Sequence, residues 1–179
     1  MKKTTITSWA KRIAFLFMIG CWTNVLAQTE ISDATGLAAI SSNLSGSYKL
    51  TADITLTGSW TPITGFTGTL DGNGHIISGL TYNNTATEKA ALFATTTNAT
   101  IKKLGIENVS IIAKKDVGAL VGIMSGGKIE ECYVTNGYFQ GEDHIASMVG
   151  QAKDGAVVQN CYSSAYVYSP KSNTGGIIA

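Results

Sequence analysis

Short apolar runs separated by polar and glycine-rich breaks return at a constant interval along this chain. VGALVG at Val117–Gly122 recurs as IASMVG at Ile145–Gly150 and as TGGIIA at Thr174–Ala179, and a degraded copy, KAALFA, occupies Lys89–Ala94. The copies begin 28, 28 and 29 residues after one another. A fixed period of that size is the mark of a solenoid, in which each repeat buries its apolar face on the next.

A second string follows each copy: TIKKLGIENV from Thr100, KIEECYVTNG from Lys128 and VVQNCYSSAY from Val157. Superposing them aligns Ile101, Ile129 and Val158, and likewise Leu104, Cys132 and Cys161. These are read as inward structural columns. The β-branched runs are broken by Gly, Asn, Ser or Asp every several residues, too often for a helical stripe at three and four, so strands are expected.

About 28 residues with two or three short strands make one winding of a parallel β-helix, stacked on its neighbours at about 4.8 Å. Outward residues then form columns too: Lys102, Glu130 and Gln159 in one, and Lys103, Glu131 and Asn160 beside it. Lysine over glutamate on adjacent strands is favourable, so the charge swap fits in-register stacking and predicts a Lys102–Glu130 contact. Gly118, Gly122, Gly126, Gly127, Gly150, Gly155, Gly175 and Gly176 fall at or beside run ends and are expected at corners, where some residues need positive φ. No phosphate-binding glycine string precedes a helix.

Nearer the start, Ser32 and Asp33 precede TGLAAISSNL, where Leu37, Ile40 and Leu44 share a helical face and Gly46 is the expected stop. This short helix would cover the N-terminal end of the solenoid, which otherwise exposes core and unpaired backbone. Tyr48, Leu50, Ala52, Ile54 and Leu56 alternate with polar residues as one strand. Trp60–Ile63 and Phe66–Leu70 read as two more, and DGNGH at Asp71–His75 as a turn before Ile76–Leu80.

FTGTLDGNGHIISGL at Phe66–Leu80, the spaced VGALVG copies and the I-x-x-C-Y string closely resemble bacterial secreted proteins with GLUG motifs. The likeness reaches back through YKLTADITLTGSWTPI and covers about the whole chain after its leader. It implies an all-β, right-handed parallel β-helix on a secreted or surface protein, as in adhesin-like proteins and some large bacterial peptidases. It also implies scaffold or adhesion instead of catalysis. Departures are ALFA at Ala91–Ala94, and Ala119 and Ser147 where glycine is usual.

Residues 1–27 read as an export leader: Lys2, Lys3, Lys11 and Arg12 precede the apolar run Ile13–Trp22, and Val25-Leu26-Ala27 offers cleavage before Gln28. The run is too short to span a bilayer, so no transmembrane helix is expected. A competing reading makes Cys21 a lipid-anchored N-terminus. Residues 28–47 then form the cap and 48–179 the repeats, with continuation beyond Ala179 expected because TGGIIA stops inside a fresh copy. Of 13 basic residues four lie in the leader, leaving nine lysines against 12 acids. A chain so balanced offers no basic face, and nucleic acid is excluded as an expected partner.

Candidate chemistry is thin. A lyase needs a base with a cation nearby, yet the chain after the leader has no arginine, and its aspartates at 33, 53, 71, 116, 143 and 154 are scattered. A glycosidase needs two carboxylates across a cleft, whereas Glu130-Glu131 and Glu142-Asp143 read as solvated surface. No catalytic residues and no cofactor are assigned, although a polysaccharide-processing β-helix and the repeat region of a larger surface peptidase stay open. Asp71 and Asn73 are weak metal candidates set against an Asx turn, and His144 lacks a nucleophile beside it. Cys132 and Cys161 are expected as stacked thiols more readily than as a disulfide, because side-by-side Cβ vectors suit the bridge poorly. The binding hint is aromatic: Tyr133 and Tyr162 share one column, with Tyr138 and Tyr166 beyond, a face suited to a glycan or a surface protein or else to stiffening the coil.

Overall fold

The computed structural model describes residues 28–171 and 173–179. The expected leader at 1–27, and the alternative lipid attachment at Cys21, lie outside them. Strand β1 (Thr29–Ile31) leads into helix α1 (Ala34–Ala38) and a 3₁₀ turn (Ala39–Ser42). The first winding holds β2 (Ser47–Leu50), β3 (Ile54–Thr55) and β4 (Ile63–Phe66), and the second β5 (Thr69–Asp71), β6 (Ile76–Ser78), β7 (Thr81–Glu88) and β8 (Phe93–Thr97). The third carries β9 (Thr100–Lys102), β10 (Gly105–Val117) and β11 (Val121–Ser125). The fourth carries β12 (Lys128–Glu130), β13 (Tyr133–Gln140), β14 (Asp143–Ala146) and β15 (Val149–Lys153). A fifth follows with β16 (Val157–Gln159), β17 (Tyr162–Tyr168) and β18 (Thr174–Gly175).

Three parallel sheets form the walls of this solenoid. One runs β1-β2-β5-β9-β12-β16 and another β15-β11-β8-β4, while the third is built around β17-β13-β10-β14-β18 with β3, β6 and β7 attached. Ile129 pairs with Ile101 below and Val158 above, and Ile101 with Leu70, so the aligned apolar residues are one physical column. Ile101 and Ile129 are each 1% exposed, and burying such a side chain stabilises by about 1.5–3 kcal/mol. Phe66 stacks on Phe93 with centroids 4.6 Å apart, filling the core of the earlier windings.

The N-terminal segment packs on this core as expected, with Leu37 and Ile40 fully buried in the same cluster as Leu50 and Phe66. Asp33 caps α1, its carboxylate accepting the Gly36 N–H at 2.8 Å, which relieves one orphan donor of the first turn. Three boundaries differ from the sequence reading. The helical segment stops at Ser42, with Asn43 as its C-cap, and not at Gly46. The alternation from Tyr48 to Leu56 spans two strands with a corner at Thr51–Asp53, since a solenoid corner preserves the in–out sequence while turning the wall. The strands expected at Trp60–Ile63 and Phe66–Leu70 shift to β4 and β5.

At the corners the reading holds in part: Gly126, Gly127 and Gly155 have φ of 63°, 76° and 76°. Left-handed residues are mostly not glycine, and they stack in columns: Lys103, Glu131 and Asn160 at φ 52°, 54° and 53°, Asn108 and Asn136 at 55° and 51°, and Lys89, Asp116, His144 and Asn173 at 64°, 55°, 52° and 54°. Asparagine and aspartate tolerate this region, and repetition on every winding imposes it on lysine and glutamate as well. Gly118, Gly122 and Gly150 do not have positive φ; they are needed for close approach. A Cβ on Gly150 would sit 2.5 Å from the Asp116 carbonyl carbon, and one on Gly122 2.7 Å from the Ala94 carbonyl oxygen.

Candidate functional site

Outward residues of β13 and β17 form the tyrosine face. Register pairs Gly105 with Tyr133 and Tyr133 with Tyr162, and separately Ser110 with Tyr138 and Tyr138 with Tyr166. Tyr133 and Tyr162 stack at 5.2 Å with planes 8° apart, and Tyr138 and Tyr166 at 5.7 Å and 7°. The structure thus stacks the four tyrosines that the sequence singled out as two separate pairs, one on each side of the Asn136 corner, with Tyr168 next to the second pair, opposite Gln140.

Parallel stacking consumes ring faces. Tyr138, covered by the Tyr166 ring of the next winding, keeps 37% of its surface exposed, so the part of this wall open to a ligand on a covered winding is the ring edge and its hydroxyl. Tyr133 is held further by its hydroxyl, which donates to Glu107 at 2.9 Å. Burial, reinforced by that carboxylate, pushes the Tyr133 phenol up to about 12, so it stays a neutral donor. Next to it lies a shallow groove of about 440 Å³ lined by Asn73, Lys103, Glu131 and Tyr133 among others.

Glu107 and Gly105 were not singled out from the sequence, although the same alignment places Gly105 directly in the tyrosine column. Also unforeseen is a pair flanking the turn: Asp53 accepts the Ile76 N–H at 3.0 Å and faces His75 Nδ1 at 3.0 Å. The backbone bond first, then His75, holds the Asp53 carboxyl below its usual range.

Asp71 and Asn73 make the Asx turn, Asp71 Oδ1 accepting the Asn73 N–H at 2.8 Å. The other oxygen of Asp71 faces Lys102 Nζ at 3.3 Å, and the Asn73 amide donates to the Leu50 carbonyl at 3.3 Å. Both candidates are therefore engaged within the protein. The expected Lys102–Glu130 contact is replaced: the two residues are in register, but Glu130 binds Lys128 of its own strand at 2.6 Å and Lys102 turns to Asp71 on the winding below. Lys128 outcompetes because it shares both strand and face, and its hydrogen bond holds the Glu130 carboxyl below the ordinary value.

A second groove of about 310 Å³ gathers Glu88, Lys114, Lys115, Glu142, Asp143 and Lys171. Its charges are spent on each other: Lys114 and Lys115 lie 3.7 and 3.6 Å from Glu88, and Lys171 2.7 Å from Glu142. Asp143 accepts the Asn173 amide at 2.8 Å. At the same corner, His144 Nδ1 stands 3.2 Å from the buried Asp116 and 3.3 Å from Asp143. Leu104 and Cys132 are buried and Cys161 half-buried, in successive windings of one column, and both cysteines are free thiols. Among the described residues no helix is long and apolar enough to cross a membrane.

An all-parallel β-solenoid with a short helical cap and a tyrosine wall is the class of protein these features define. The N-terminal region of M26 IgA1-specific metallo-endopeptidases matches residues 32–137, and the chain belongs to that family. Its relatives include the immunoglobulin A1 protease of Streptococcus pneumoniae, 30% identical over 156 residues, 78% of this chain and 8% of that protein. The zinc metalloprotease ZmpC of S. pneumoniae serotype 4 is 31% identical over 159 residues, covering 79% and 8%. Halomucin of Haloquadratum walsbyi is 39% identical over 98 residues, 54% of this chain and 1% of its own. The chain thus spans under a tenth of these proteins. A crystal structure of a putative immunoglobulin A1 protease from Bacteroides ovatus shares the fold, with a TM-score of 0.59 at 18% identity over 86% of this chain and 62% of that one.

Proposed function

We propose that this chain is a non-catalytic binding module of GLUG-like repeats in an exported bacterial surface protein, holding a glycan on its tyrosine face. The observation that carries the reading is the stacking of tyrosines winding on winding, Tyr133 with Tyr162 and Tyr138 with Tyr166, with Tyr133 lining the polar groove at Lys103 and Glu131. An aromatic face binds the apolar side of a sugar ring while neighbouring polar groups take its hydroxyls. Support for a non-catalytic role comes from the charged groove, where carboxylates and lysines are paired with one another instead of converging on an open space. The test is a glycan array probed with the full chain, followed by calorimetry on the best ligand. Binding that falls at least tenfold in Tyr162→Ala/Tyr166→Ala supports the reading; no glycan bound, or binding indifferent to both substitutions, ends it.

Family membership favours a second reading, in which the module sits within a larger surface peptidase and engages that enzyme's protein substrate. Relatives named immunoglobulin A1 protease make IgA1 the first protein to immobilise against the chain. Saturable binding to IgA1 that survives removal of its glycans would select this reading over the glycan one.

A further inference from the structure

The first winding is shorter than those above it, and a groove opens where it cuts the corner. Tyr48 pairs with Leu70 and Ile54 with Ile77, 22 and 23 residues on, whereas Leu70 pairs with Ile101 and Ile77 with Ile106, 31 and 29 on. Ser59 bridges to Thr81, and the Trp60 N–H donates to the Thr81 carbonyl at 2.8 Å. Thr61 and Pro62 then lead straight into β4, and among the described residues β7 has no strand beneath it past that bridge. Trp60 covers the core at this step. It packs half-buried against the core cluster, and its indole Nε1 donates to the Leu92 carbonyl of the second winding at 3.0 Å.

Beside Trp60 lies a groove of about 330 Å³, whose other bank is the end of the cap at Ala38 and Ser41. Trp60 and Pro62 give it an apolar side, and Ser59, Thr61 and Thr64 stand exposed along it. Ser41, whose Oγ donates to the Ala38 carbonyl at 2.8 Å, keeps its oxygen free to accept. Among the described residues, none that lines the groove is charged. The two hydrogen bonds of Trp60 fix the indole before any ligand arrives, so little freedom is lost when one does. All of these residues belong to the cap and the first winding.

This chemistry selects its ligand. A charged group would leave water and find no counter-charge, and a wholly apolar one would strand the hydroxyls it covers. A sugar ring suits both sides, laying its C–H face on the indole and its hydroxyls against those of the protein. We propose that the Trp60 groove is a second carbohydrate site, separate from the tyrosine wall, that takes a short neutral saccharide. It stands whether or not the tyrosine wall binds a glycan.

The isotope-labelled full chain is titrated with chitotetraose, cellotetraose, mannotetraose and xylotetraose, with tetragalacturonate as the acidic control, and followed by nuclear magnetic resonance. The Trp60 indole N–H is assigned by its absence from Trp60→Phe, with Trp9 and Trp22 as internal references. At least one neutral saccharide should shift that resonance and the Ser59, Thr61 and Thr64 amides to saturation, with an affinity unchanged by salt. Ser59→Ala combined with Thr61→Val, both at exposed positions, should weaken this binding about tenfold at an unchanged melting temperature. The proposal falls if no neutral saccharide moves the Trp60 resonance at about 10 mM, if the double variant binds like wild type, or if tetragalacturonate binds there more tightly. Shifts confined to Tyr133 and Tyr138 would also overturn it, while leaving the tyrosine wall as a glycan site.

Discussion

Gly105 lies directly beneath the ring of Tyr133: a Cβ built on Gly105 would come within 2.4 Å of the Tyr133 Cζ. The phenol therefore drapes over the bare backbone of the preceding winding, covering a position that has no side chain to pack. Gly105→Ala should lift Tyr133 off Glu107 and out of parallel with Tyr162, at a cost of about 1 kcal/mol. Loss of the near-ultraviolet tyrosine circular dichroism together with a lower denaturation midpoint would register both effects.

Gly150→Ala should be worse. The atoms its Cβ would meet are backbone, the Asp116 carbonyl carbon at 2.5 Å and the Val117 nitrogen at 2.6 Å, and they have no rotamer to yield with. Separating the windings here costs about 3 kcal/mol or more, and hydrogen exchange should show β15 losing protection along with the strands it pairs.

Asn136 separates two explanations for the corners. Its φ is 51°, and its side-chain amide donates to Oδ1 of Asn108 on the winding below. Asn136→Ala loses both the conformational tolerance and the bond, and should cost about 1–2 kcal/mol. Asn136→Gly restores the backbone freedom, so urea titration should find it between wild type and the alanine variant. Equal losses would assign the whole effect to the amide.

Asp116 gives the chain a pH dependence. Burial raises its carboxyl pKa, partly offset by His144, Lys115 and Lys89 and added to by Glu88. The unfolded carboxyl titrates near 3.9, so above that pH the folded state holds its proton longer than the unfolded one. This group's stabilising contribution is therefore complete at low pH and lost as pH rises through the raised value. Asp116→Asn keeps a residue suited to φ 55° and removes the charge. Melting curves from pH 4 to 8 should show the variant gaining on wild type as pH increases; a constant difference would refute the assignment.

The stacking of Ile101, Ile129 and Val158 was legible because a constant offset and a constant residue class report the same geometry twice. The tyrosine columns were legible for the same reason. Glycine was half legible at the corners: Gly126, Gly127 and Gly155 take positive φ there, whereas Gly118, Gly122 and Gly150 recur because windings touch, and much of the remaining positive-φ work falls to Lys103, Glu131, Asp116 and His144, of which lysine and glutamate carry no such signal. The partner of Lys102 was hidden by length. Asp71 lies 31 residues earlier, not 28, because the second winding is longer, so the repeat period points past it. Glu107 escaped for a third reason, since its bond to Tyr133 depends on a ring bending over Gly105, which no pattern of residue types encodes.

Each winding docks on the one before through nearly the same contacts, and that makes reach a countable trait. Duplicating one copy of the unit would lengthen the molecule by about 4.8 Å and require no newly invented interface. Length could therefore change by whole genetic units, independently of any change in the residues on the outer walls.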